Sequence, residues 1–104
     1  MTDAAADFCQ LRRGLVASAK AAGFELCVAV GASKPWSSSL FTGSRHTAVV
    51  GAEASPAFDA WLAALPELEV PMTRQFLADA SVVKHTADGR GREIVTIEFL
   101  TVAE

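Results

Sequence analysis

The sequence predicts an α+β domain of order helix-strand-strand-helix-strand-strand, with one antiparallel four-stranded sheet and two helices on one face. Three observations lead there. Apolar residues recur at three- and four-residue spacing over 3–22 and again over 56–65, the mark of a helix with one buried side. Two strand-like apolar runs follow each of those segments, and packing helices against one face of a shared sheet is the common way to shelter such an order. The 104 residues make one domain, 1–104, with no room for a second core.

In the first helix Phe8, Leu11, Leu15, Ala19 and Ala22 line one side. Asp3 and Asp7 fall near the positive end of its dipole, Arg12, Arg13 and Lys20 lie towards the negative end, and Gly23 supplies the left-handed stop. Gly14 is its weak point, costing about 1 kcal/mol relative to alanine. The run Phe24-Glu25-Leu26-Cys27-Val28-Ala29-Val30 alternates larger and smaller apolar residues and predicts the first strand. The second strand is placed at His46 to Gly51. Between them Gly31 to Arg45 reads as a long connection carrying Trp36 and Phe41 on either side of three serines, and connections of that length are often functional. Ser55 and Pro56 read as N-cap and first helical position, Phe58, Trp61, Leu62 and Leu65 follow at helical spacing, and Pro66 closes the second helix. The last two strands are placed at about 75 to 86 and 92 to 102, joined by Asp88-Gly89-Arg90-Gly91, whose glycines allow the positive φ of a tight turn.

With 51% hydrophobic and 20% charged residues the chain carries enough apolar material to offset its conformational entropy. A formal charge of −3, with both signs interspersed, gives no broad positive field, so sequence-specific nucleic-acid binding is not expected. Lys84, Arg90 and Arg92 make the best local basic cluster. Acids stand at the start where a secretory signal carries positive charge, and the apolar runs are too short to span a bilayer, so the expected address is cytoplasmic, without a membrane partner. Cys9 and Cys27 belong to no Cys/His array; both are expected to be reduced packing residues.

The residues that could carry chemistry do not assemble into a motif. His46 follows Ser44 and Arg45, but neighbours on a strand point to opposite faces, so adjacency gives no triad; a strand-edge histidine with a structural hydrogen bond is the reading. His85 could approach it without completing a metal ligand set. Glu67 and Glu69 lack the burial that tunes a carboxylate for acid/base work. Ser37 to Ser39, with Lys34 and Arg45 near their ends, lack the glycine pattern of a phosphate loop. No catalytic residue, metal or cofactor is predicted.

Surface accounting says more. Val95, Ile97 and Phe99 point one way along the last strand while Ile94, Leu100 and Val102 supply the other. Two helices cover a single face. Several hundred Å² of apolar surface left in water forgoes several kcal/mol at about 25 cal/mol per Å², unless the long connection folds over that face or the face is small. A homo-oligomer is expected, with Trp36, Leu40, Phe41, Arg45, Arg90 and Arg92 as interface candidates. Two other readings stay open: a small-ligand module or minor enzyme using 31–46, with Ser44, Arg45 and His46 at a pocket mouth, and a small inhibitor of a larger complex acting through its acidic residues.

The layout resembles the small tail-terminator, or tail-completion, proteins of long-tailed bacteriophages and phage-derived gene transfer agents. What is similar is the opening helix, a Trp36-bearing loop feeding Thr42-Gly43-Ser44-Arg45-His46-Thr47 into a strand, the helix around Phe58 to Leu65, and the Asp88-Gly89-Arg90-Gly91-Arg92 hairpin running into Phe99-Leu100-Thr101. The resemblance spans most of the chain and implies a non-enzymatic ring, hexameric in that family, that ends tail-tube growth on the head side. It further implies other tail or head-tail connector proteins as partners, and incorporation in a virion-like particle.

Overall fold

The computed structural model describes residues 4–104, except for the side chain of Val30. Helix α1 spans Ala4–Ala22 and buries Leu11, Leu15 and Ala19, one residue per turn of the predicted stripe. Asp3 lies outside the described residues. Asp7 occupies the first turn and Lys20 the last, and Gly23 ends the helix at φ 96° while Phe24 N–H bonds Ala19 O at 3.1 Å. Gly14 has a packing reason: a β-carbon there would stand 2.0 Å from Val70 Cγ1, so the valine fills the space a side chain would take.

The next unit corrects the predicted long connection. Strand β1 runs Cys27–Ser37 and β2 runs Thr42–Glu53, paired antiparallel from Cys27↔Gly51 to Ser37↔Thr42. Only 38–41 turn the corner, where Ser38 N–H bonds Phe41 O at 2.8 Å and Phe41 N–H bonds Ser38 Oγ at 3.2 Å. Serine, lysine and proline disguise β1 because it is an edge strand. An edge tolerates a residue without an N–H, such as Pro35, and a side exposed to water tolerates Lys34.

Helix α2 spans Pro56–Ala63, with Ser55 as N-cap accepting from Phe58 N–H at 3.1 Å. It ends at Ala63, and Pro66 sits in a separate 3₁₀ turn, Leu65–Glu67, that buries Leu65. Strands β3, Gln75–Ala87, and β4, Arg92–Ala103, close the chain as a hairpin. Gly89 at φ 79° and Gly91 at φ 86° make its turn, and Asp88 Oδ1 accepts from Arg90 N–H and Arg92 N–H at 2.7 and 3.2 Å.

The four strands form one antiparallel sheet in the order β1-β2-β4-β3. On one face Ala48, Val50 and Ala52 of β2 and Val95, Ile97 and Phe99 of β4 meet Leu11, Leu15 and Ala19 of α1 and Phe58 and Trp61 of α2 in a single core. Phe24, Phe58 and Trp61 gather their rings 5.2 to 6.3 Å apart, and Trp61 Nε1–H donates to Ser18 Oγ at 3.0 Å, tying α2 to α1. Among the described residues no helix is long and apolar enough to cross a membrane.

Two predicted packing roles need correction. Cys9 and Cys27 are both exposed. Cys9 falls off the Leu11–Leu15 stripe of α1, and Cys27 opens an edge strand opposite Gly51, away from the core face. His46 is not at a strand edge: β2 lies between β1 and β4, and the side chain is fully buried.

Candidate interaction surface

Among the described residues no element covers the second face of the sheet. The register fixes its rows, because directly paired residues share a face. One row crosses all four strands as Trp36, Gly43, Val102 and Phe76. The next holds Lys34, Arg45, Leu100 and Asp79, and the one after it Ala32, Thr47, Glu98 and Ser81. Further along stand Val49, Thr96 and Lys84, then Gly51, Ile94 and Thr86. The face is therefore mixed, with an apolar row at one end, Ile94 at the other and charges between.

The apolar row is built on a close approach. A β-carbon on Gly43 would fall 1.9 Å from Thr101 O and 2.9 Å from Trp36 Nε1, so this position admits only glycine. The indole lies half-buried against it, with Nε1 withdrawn from solvent and without a hydrogen-bond acceptor among the described residues. Phe76, 47% exposed, closes the row on β3.

In the two rows next to the apolar one the charges are sorted: Lys34 and Arg45 occupy the β1–β2 half, and Asp79 and Glu98 the β4–β3 half, while Lys84 stands apart on β3 in the following row. Arg45, Asp79, Ser81, Glu98 and Leu100 ring a shallow depression of about 220 Å³, yet among the described residues none of the four charged groups forms an ion pair; His85 Nε2 lies 3.0 Å from Glu93 Oε1, an ion pair only when the imidazole is protonated.

The interface residues predicted from sequence separate into two groups. Trp36, Leu40, Phe41 and Arg45 share the end of the sheet at the β1–β2 turn, where Leu40 is 82% and Phe41 55% exposed. Arg90 and Arg92 stand at the other end, in the β3–β4 turn and opposite Glu53. About ten strand residues at ~3.3 Å each lie between the groups. Trp36 is thus a strand residue rather than a loop anchor. Phe76 and the acids Asp79 and Glu98 were missed, although Glu98 alternates with Leu100 and Val102 on β4; in β3 two β-bulges, at Leu77/Asp79 and Val82/Lys84, break the alternation that would have placed Asp79 on the same face.

Behind the sheet lies a buried polar chain. Thr101 Oγ1–H donates to Ser44 O at 3.3 Å, so its oxygen accepts from His46 Nε2–H at 3.2 Å. Nδ1 is then the bare nitrogen, accepting from Ser33 Oγ–H at 2.7 Å. Ser44 Oγ–H reaches Asp7 Oδ2 at 3.1 Å, and the Phe8 ring stands 5.8 Å from the imidazole. Burial lowers the His46 pKa from its ordinary value, against a weaker opposing pull from the Asp7 carboxylate. The carboxylate holds the serine and not the imidazole, and Ser44 is fully buried, so Ser44 and His46 do not form the mouth of a pocket. Arg45 projects to the opposite face.

A cleft of about 850 Å³ opens elsewhere, between α1 and the start of β1, lined by Arg12, Arg92, Glu25 and Glu53 among others. His85 is engaged with Glu93 and is not brought to His46. Glu67 and Glu69 are exposed, and Ser37 to Ser39 form an exposed hairpin corner. No family model, curated protein or solved structure matches the chain.

Proposed function

We propose that the protein is a non-enzymatic structural subunit that works by assembling with copies of itself. In the tail-terminator reading the assembly is a closed ring of six that joins other tail or head-tail connector proteins, formed in the cytoplasm and carried in a virion-like particle. The observation that carries the self-assembly reading is the bare second face of the sheet. The segment read from sequence as a possible cover, 31–45, is instead spent on the β1–β2 hairpin.

The face has the makeup of an association surface: an aromatic row in Trp36 and Phe76, aliphatic Val49, Ile94 and Leu100, and charges without an ion-pair partner among the described residues. Aromatic residues and arginine are the side chains that most often dominate binding energy. Light scattering on the purified chain at about 200 µM tests the reading. Assembly gives a mass well above that of the 10.9 kDa chain, six times it for the ring, and Trp36→Ala lowers it. A strictly monomeric chain at that concentration, unchanged by Trp36→Ala, removes the proposal.

A further inference from the structure

We infer that the bare sheet face takes a second copy of the same face, the two related by a twofold axis running parallel to the strands. This rests on the self-assembly reading and names the contact. Turning the sheet about such an axis exchanges β1 with β3 and β2 with β4 while leaving each row at its own height. Lys34 then meets Asp79 of the second copy in the same row, and Arg45 comes within one row of Glu98 of the second copy. Trp36 lies across from Phe76 of the second copy. Each contact occurs twice, as an isologous interface requires.

The alternatives match less well. A twofold axis normal to the sheet leaves both faces exposed, and an axis in the sheet plane but across the strands sets Lys34 and Arg45 of the two copies on the same side, against each other's basic half. The axis along the strands satisfies charge and apolar rows together. Strands of the two sheets then run aligned, the usual relation of stacked sheets.

Both the area and the charges support a partner of this kind. Four strands about 4.8 Å apart and about eleven residues long at ~3.3 Å each give a footprint of about 700 Å², close to the roughly 800 Å² per partner of a stable complex. The four charged groups are unpaired among the described residues, so pairing them between copies breaks no existing ion pair. The sheet edges are less suited to pairing. β1 carries a bulge at Val28/Val30 together with Lys34 and Pro35, and β3 carries two bulges and Lys84, the devices that discourage edge-to-edge association.

Complementary charge swaps test the contact. Lys34→Glu with Arg45→Glu makes the face wholly acidic at these four positions, and Asp79→Lys with Glu98→Lys makes it wholly basic. Each double variant alone should associate at least tenfold more weakly than the unaltered chain. An equimolar mixture should regain the original mass with equal amounts of both variants, a result that also shows both to be folded. If the unaltered chain assembles and both double variants assemble equally well, the face pairing is wrong while self-assembly stands. A wholly monomeric unaltered chain defeats both. Variants that are weakened but not restored by mixing also overturn the twofold arrangement, provided each retains the unaltered chain's circular dichroism.

Discussion

His46 is where burial and charge meet most sharply. Its imidazole is fully enclosed between Phe8 and the sheet and holds its two hydrogen bonds as a neutral ring, accepting at Nδ1 and donating at Nε2. Burial holds its folded pKa below the unfolded value of 6.5, with Asp7 pulling the other way. As pH falls through 6.5 the unfolded chain therefore takes up a proton before the folded one does, and stability falls with it; above 6.5 this contribution is fully present and flat. Urea titrations between pH 8 and pH 5 should show the loss, with a slope no steeper than the one-proton limit of about 1.4 kcal/mol per pH unit. His46→Gln should lower stability overall and reduce that slope, whereas an unchanged slope would place the titrating group elsewhere. The sequence put His46 on a strand but at an edge. The partner of its Nδ1, Ser33, is thirteen residues away on a strand whose polar composition concealed it, so the hydrogen bond was legible only as a type and not as a pair.

At the level of the elements Gly14 sets two local effects against each other. Alanine there should gain about 1 kcal/mol of helix propensity, but its β-carbon would stand 2.0 Å from Val70 Cγ1 and 3.3 Å from Val70 Cβ. Overfilling a packed site costs about 1 to 3 kcal/mol, so Gly14→Ala should destabilise the fold by about 1 kcal/mol net. Adding Val70→Ala should cost less in the Gly14→Ala background than in the original chain, the signature of coupled neighbours. Thermal or urea melts of the four proteins decide it; a Gly14→Ala chain more stable than its parent would show that the contact yields freely. The two helices were legible because Leu11, Leu15 and Ala19 and then Phe58 and Trp61 repeat on one side, and Ser55 marks the cap. Strand β4 was legible for the same kind of reason. Strand β1 was not beyond Val30, since its polar half borrows its hydrogen bonds from β2 and shows no apolar alternation of its own. The bare face was foreseen from Ile94, Leu100 and Val102, but the place of Asp79 on it depended on the bulged register of β3.

The whole molecule is elongated, 45 × 22 × 19 Å, and offers two ways to recruit a copy: along a sheet edge or across the bare face. Edge pairing would satisfy outward N–H groups of β1 or β3 and slow their exchange with solvent. Face pairing would leave those groups open and shield Trp36 instead. The bulges, Lys34, Pro35 and Lys84 disfavour the edges, and the sorted charges favour the face. Raising the concentration from about 10 µM to about 500 µM should therefore leave amide exchange along 32–37 and 81–87 unchanged while association proceeds by mass action. Over the same range the tryptophan emission should move to the blue, and the change reports Trp36 because Trp61 is already 6% exposed in the core. Slowed exchange confined to either edge strand, with emission constant, would move the interface to the sheet margin and leave the bare face to another partner.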